Sequence, residues 1–295
     1  MSDWEGKVAV ITGAGSGIGE ALAHRFADEG MKIVVSDIDL AAARRVAGDL
    51  AAKDYVARAQ RTDVASQDSV NDLADMAWSS FGSVDILCNN AGVVPAGRFR
   101  PVWEYPLEDW RWALDVNMMG VVHGIRAFIP RMIAQGSRAH VVTTASVAGL
   151  VSGSGSPVYS AAKHGAVRVT EALYASLKEM DLPIGVTLLC PGLVNTNIYR
   201  SERNRPKELV PGTGISDETP ELQAIADDLY KHAIAPEQVA EMLFAAIEAR
   251  QFYLLTSVNF DESIRRHAEA ILSRTNPEFD GLMALSKADA EGAAT

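Results

Sequence analysis

The sequence predicts an α/β fold: one doubly wound parallel sheet with helices on both faces and a substrate lid. Three observations predict it. Short, continuously apolar runs alternate with longer amphipathic ones, the pattern of buried parallel strands and their covering helices. A glycine-rich turn, Thr12–Gly19, stands between the first apolar run and the first helical one. Polar or small residues follow each of the first four apolar runs, at the edge where such sheets bind ligands.

Taken in order, the sequence predicts a strand over Lys7–Thr12 and a helix over Gly17–Gly30. A strand at Met31–Ser36 and an Ala-rich helix at Leu40–Lys53 follow. The third pair is Tyr55–Thr62 and Ser66–Phe81, and the fourth is Val84–Cys88 with one long helix over Leu107–Gln135. The fifth is Arg138–Thr144 and Pro157–Met180, and the sixth strand is Ile184–Cys190. Residues 195–234 break the rhythm with Pro206, Pro211 and Pro220, many charges and few periodic apolar residues, and read as a lid. A helix from near Pro236, a short strand at Phe252–Thr256 and a helix over Asp261–Ser273 complete a single domain spanning 1–285. The small, polar stretch 286–295 reads as a disordered tail.

Composition excludes several classes. The chain has 295 residues, 48% hydrophobic and 22% charged, with a net charge of −11. That balance argues against nucleic acid and against an anionic membrane surface as partners. The first apolar run, Val8–Ile11, is too short for a signal peptide or a membrane span. Cys88 and Cys190 form no framework, and a reducing, cytoplasmic location is expected. Six scattered histidines show no ligand-like pairing, so no metal is expected.

The Thr12–Gly19 turn suits a pyrophosphate. Its glycines allow close backbone approach, and the helix that follows offers free N–H groups and a positive dipole end. Gly13, Ser16 and Ile18 are its candidate contacts. Asp37 ends the second strand about 20 residues further on, where a carboxylate accepts both ribose hydroxyls of NAD and repels the 2′-phosphate of NADP. No basic neighbour offsets it in sequence. Asp63 and Val64 follow the third strand and suit the adenine amino group and ring. Asp63 reads equally well as a residue capping the Ser66 helix. Asn90, in Asn89-Asn90-Ala91-Gly92, leaves room for the cofactor after the fourth strand.

Tyr159 and Lys163 lie four apart on one predicted helix and share a face. An ammonium beside a phenol favours phenolate, so the pair suits proton exchange with an alcohol or ketone oxygen. Ser146, after the fifth strand, is placed to hydrogen-bond the same oxygen. Asn117 would bend its helix locally and hold a water that relays protons to Lys163.

These motifs, in this order over nearly the whole chain, resemble the short-chain dehydrogenase/reductase family, in its branch of about 250–300 residues. The resemblance covers the Thr12–Gly19 turn, Asn89–Gly92, Asn117, Ser146, Tyr159, Lys163 and Pro191-Gly192-Leu193-Val194-Asn195-Thr196. It implies a Rossmann-type fold, hydride exchange with a secondary alcohol or ketone, and no metal. It also implies that Val194 and Thr196 contact the nicotinamide carboxamide, and that Lys163 holds nicotinamide ribose hydroxyls. Relatives assemble through the two long helices, so a homodimer or homotetramer is expected through Trp110–Arg131 and Pro157–Met180. On the second of these, Ala166, Val169, Leu173 and Leu177 fall at helical spacing and serve either an interface or the core.

The pocket is expected from three loops: Val93–Phe99, Val147–Pro157 and the lid from Asn197. The first two are apolar or small and suit an apolar or aromatic alcohol. Arg200, Arg203, Arg205 and Lys207 in the lid read either as contacts for an anionic tail or as a solvated surface. The lid and C-terminal segment are also similar to dehydrogenases that oxidise the benzylic alcohol of lignin-type β-aryl ethers. This favours NAD-linked oxidation of a bulky, benzylic alcohol. A 3-ketoacyl or hydroxysteroid reductase and a non-catalytic NAD sensor are the rival readings.

Overall fold

Seven parallel strands form one sheet in the order β3-β2-β1-β4-β5-β6-β7. The strands are β1 (Val8–Thr12), β2 (Lys32–Asp37), β3 (Ala57–Arg61), β4 (Ile86–Asn89), β5 (Ala139–Thr144), β6 (Ile184–Cys190) and β7 (Tyr253–Leu255). The computed structural model describes residues 3–95, 100–151, 156–211 and 220–279. The expected tail 286–295, the loop tips 96–99 and 152–155, and lid residues 212–219 lie outside the described residues.

Side chains alternate along each strand, so a continuously apolar strand feeds two cores. Ala9, Ile11, Ile33 and Val35 face one layer, built with Leu22, Phe26, Leu50, Val239 and Leu243. These come from α1 (Gly17–Asp28), α2 (Leu40–Ala51) and α8 (Pro236–Glu248). Val10, Val34, Leu87 and Val141 face the other layer, with Leu73, Phe128, Met132 and Leu173. Those come from α3 (Gln67–Phe81), α5 (Gly120–Gln135) and α6 (Pro157–Glu179). Each fully buried Leu or Phe contributes about 1.5–3 kcal/mol, so the two layers hold the sheet between them. Ala166, Leu173 and Leu177 are buried within the single chain, which makes their spacing on α6 a core signal.

The sheet order reverses between β1 and β4. The loops after these two strands therefore part in opposite directions and open a crevice at the carboxyl edge. Local chemistry sets the helices that flank it. Asp39 caps α2 by accepting from Ala41 N at 2.9 Å and Ala42 N at 3.2 Å. Ser66 caps α3 by accepting from Ser69 N.

Two predicted elements differ. The expected helix over 107–135 divides into α4 (Leu107–Leu114), a π-helical turn at Asp115–Met119, and α5. The periodicity continues through the extra residue, so the sequence pattern conceals the turn. The lid contains short 3-10 segments at Ile198–Asn204 and Lys207–Leu209 and a helix, α7 (Pro220–Lys231), where few periodic residues are expected. A last helix, α9 (Asp261–Ser273), matches its predicted span. No described helix is long and apolar enough to cross a membrane.

His140 sits inside β5 and is 2% exposed. Thr187 donates its hydroxyl to Gln251 O at 2.7 Å, so its oxygen accepts from His140 Nε2–H at 2.9 Å. Burial, then the nearby Arg250 and Arg138, draws the ring down to about 3 from its ordinary 6.5. The unfolded chain thus binds this proton below about pH 6.5 and the folded chain only below about 3. Stability is expected to fall across that window as pH drops, by up to about 1.4 kcal/mol per pH unit from this group. Urea unfolding of wild type and His140→Gln at stepped pH checks this: the variant's stability should depend less steeply on pH.

Candidate active site

The first wall of the crevice is the glycine turn after β1. Gly13 and Gly17 adopt positive φ, 64° and 57°. A Cβ on Gly13 would lie 2.8 Å from Ala91 Cα, and one on Gly17 2.9 Å from Thr196 Cγ2. The turn is packed against the loops after β4 and β6, and α1 begins at its end with Ser16 as first residue outside the helix. Asp37 holds the turn from the side: Gly15 N donates to Oδ2 and Asp39 N to Oδ1, both at 2.9 Å. A Cβ on Gly15 would stand 2.8 Å from that Oδ2. A basic residue does approach this corner, contrary to the reading of neighbours in sequence. Arg45, on α2, donates to Gly15 O at 2.9 Å, and Glu20 pairs with its guanidinium at 2.7 Å.

The centre of the site is Asn90. Its Nδ2 donates to Thr12 O at 3.0 Å, and its Oδ1 accepts from Thr144 Oγ1 at 3.0 Å. Its backbone N–H donates to Thr12 Oγ1 at 3.0 Å. The ends of β1, β4 and β5 are thereby joined through one side chain. Asp63 makes a local turn, accepting from Ala65 N at 3.0 Å, while Ser66 does the helix capping.

Ser146 follows β5 and is fixed by accepting from Ala148 N at 3.1 Å. Tyr159 and Lys163 project from the first turns of α6. Lys163 Nζ donates to Thr144 O at 2.8 Å and lies 5.6 Å from the Tyr159 ring centroid. Lys163 is 2% exposed, and burial draws its ammonium down to about 8. Burial pushes the Tyr159 phenol well above its ordinary value, the nearby Tyr230 adds to this, and Ser146 acts in the opposite sense. This corrects the sequence expectation of a lowered phenol. Lys163 is spent on Thr144 O, and burial of the phenol outweighs its pull.

Asn117 is 1% exposed, in the π-helical turn. Its Oδ1 accepts from Val93 N at 3.0 Å and its Nδ2 donates to Val93 O at 2.9 Å. The side chain is therefore engaged with the loop after β4.

One cavity of about 550 Å³ brings the predicted residues together. Gly13, Ser16, Ile18, Asp37, Asp63, Val64, Asn90, Ser146, Tyr159, Lys163, Val194 and Thr196 all line it; Asn117 does not. Trp112, Tyr199, Leu229, Tyr230 and Phe260 line it as well and escaped the sequence reading. Ala226, Leu229 and Tyr230 recur at helical spacing, the one signal that would have revealed α7. Arg205 is turned away from any ligand. It pairs with Asp109 at 2.7 Å and Glu202 at 2.6 Å, with its carbon 4.3 Å from the Trp112 ring centroid. Arg200 pairs with Asp227, and Arg203 donates to Asn197 O and Arg200 O.

A family model described as short chain dehydrogenase matches residues 7–207. The chain belongs to the short-chain dehydrogenase family. Among curated members, a CLA biosynthesis dehydrogenase/reductase of Lactiplantibacillus plantarum is 33% identical over 289 residues, 96% of this chain and 100% of that one. A C alpha-dehydrogenase of Sphingobium sp. is 31% identical and spans 94% of this chain and 89% of its own. A short-chain dehydrogenase/reductase from Burkholderia phymatum, solved in complex with NAD, superposes with a TM-score of 0.86 at 42% identity, covering 95% of this chain and 99% of that one.

Asn90→Ala would leave the Thr144 hydroxyl and the Thr12 carbonyl without their partner. A loss of about 1–3 kcal/mol in unfolding free energy is expected from urea melts, with the overall circular dichroism spectrum retained.

Proposed function

We propose that this protein is an NAD-dependent oxidoreductase that exchanges a hydride with the carbinol carbon of a bulky, apolar secondary alcohol of benzylic type. The observation that carries this reading is the meeting of Ser146, Tyr159 and Lys163 with the glycine turn and Asp37 around one cavity.

The residues present fit the cofactor. Each Asp37 oxygen accepts one backbone N–H and retains a lone pair for a ribose hydroxyl. Its charge opposes a 2′-phosphate, and Arg45 does little to offset it because Glu20 already pairs with it. Gly13, Ser16 and Ile18 would hold the pyrophosphate, and Asp63 and Val64 the adenine. Val194 and Thr196 would hold the carboxamide. When bound, NAD would supply the hydride acceptor.

The chain's own groups manage the proton. Tyr159 takes the hydroxyl proton of the alcohol, or returns one to the ketone oxygen. Ser146 hydrogen-bonds that oxygen and holds it in line with the phenol. Lys163 supports the phenolate electrostatically and binds ribose hydroxyls. Asn117 serves as a positioning residue, since its amide fixes Val93 at the pocket rim. Dry walls strengthen each of these contacts. The apolar and aromatic lining, including Trp112 and Phe260, supports an aromatic substrate. The Sphingobium relative is named as a dehydrogenase, which supports the oxidising direction.

A panel of secondary alcohols with NAD⁺, read by NADH absorbance, tests the reading. Tyr159→Phe is expected to lower kcat by about 100- to 10,000-fold while leaving dinucleotide affinity, read by fluorescence titration, nearly unchanged. Undiminished turnover in the variant would refute the assignment of the general acid/base.

A further inference from the structure

The lid places a polar group in the cavity that the proton transfer does not use. Tyr230 stands on α7 and lines the cavity together with Tyr159. Its ring packs on Tyr199, with centroids 4.8 Å apart and planes 30° from parallel. Asp227 Oδ1 accepts from the Tyr199 hydroxyl and, at 2.8 Å, from Arg200 Nη2. Asp227 thereby ties the 3-10 segment at Ile198–Asn204 to α7 and fixes the face that presents Tyr230.

Several polar side chains of the lid are already engaged. Tyr199 is spent on Asp227. Ser201 donates to Ile198 O and accepts from Val94 N. Arg203 donates to two backbone carbonyls of its own segment. The Tyr230 hydroxyl, by contrast, has no hydrogen-bond partner among the described residues. Burial pushes its phenol up to about 12, so it remains an O–H donor throughout the working pH range. Tyr230 is part-buried on the cavity wall, so a ligand that displaces water there leaves the phenol unpaired, at a cost, unless it brings an acceptor oxygen.

We propose that Tyr230 is a specificity-determining residue whose hydroxyl donates to a second oxygen of the substrate. The preferred alcohol then carries, besides its reacting hydroxyl, another oxygen acceptor such as an ether, carbonyl or hydroxyl on its apolar body. This rests on the reading of the protein as an alcohol oxidoreductase. A site built around a hydrogen-bond donor discriminates strongly against analogues that lack the acceptor, because the donor is then left unpaired. An apolar wall alone discriminates by fit and size.

The test uses the full chain with NAD⁺ and matched pairs of secondary alcohols, one member bearing the second oxygen and the other a methylene in its place. Wild type is expected to show at least a tenfold higher kcat/KM for the oxygenated member. In Tyr230→Phe, which keeps the ring on Tyr199, that ratio should collapse toward one, mostly through KM. Dinucleotide titration and thermal melting of the variant establish that it is folded. A ratio in Tyr230→Phe equal to that of wild type overturns the role of Tyr230 and leaves the oxidoreductase reading standing. A wild-type ratio near one does the same. Absence of turnover of every alcohol by wild type, with dinucleotide still bound, overturns the oxidoreductase reading and this inference with it.

Discussion

Asn90 accepts the hydroxyl proton of Thr144 and donates its amide to the carbonyl of Thr12, and the geometry of the site descends from those two bonds. On one side they fix the end of β1, and with it the turn in which Gly13 packs on Ala91 and Gly19 on Gly13 O. On the other they fix the end of β5, whose Thr144 carbonyl receives Lys163 Nζ. Ser146 follows two residues later. The ends of β1, β4 and β5 are therefore one hydrogen-bonded unit across the point where the sheet reverses. Each buried amide or hydroxyl in that unit stabilises it only while its partner is present.

Burial is the main cause of the protonation states: it pushes the Tyr159 phenol up, with Tyr230 adding to it, and draws the Lys163 ammonium down. Both shifts disfavour charge. Lys163 Nζ donates to Thr144 O and stands 5.6 Å from the Tyr159 ring centroid, so its charge does not offset the burial of the phenol.

The parts of this arrangement that depend on local sequence were legible. Continuous apolar strands, the glycine turn, Asp37 at the end of β2 and the spacing of Tyr159 and Lys163 all follow from residue type and position. Ranges shifted by a few residues, as at β3, where Tyr55 and Val56 precede the strand. The rest depends on contacts between distant segments. Nothing near Arg205 in sequence announces Asp109 or Trp112, so its charge reads as available when it is spent. Nothing near Asn117 announces Val93. The π-helical turn keeps the helical pattern on both sides, so pattern alone reads straight through it. The lid helix was obscured because prolines and charges dominate its surroundings, although Ala226, Leu229 and Tyr230 carry the period.

The lid shows how charge and selectivity are kept apart. Its cations lie on the outside of the cavity or in its frame. Arg200 closes on Asp227, Arg203 on backbone carbonyls of the same segment, and Arg205 on Asp109 and Glu202 beneath Trp112. A buried Arg–Asp pair of this kind adds little net stability, but removing one partner is costly, so it fixes one arrangement of the lid against α4. Arg200 and Arg205 are thereby paired with carboxylates, while Arg203, which lines the cavity, is held by backbone carbonyls. Inward the framework also presents Trp112, Leu229 and Phe260 with the phenols of Tyr199 and Tyr230. Tyr199 is tied to Asp227, so Tyr230 is the phenol left to meet a ligand.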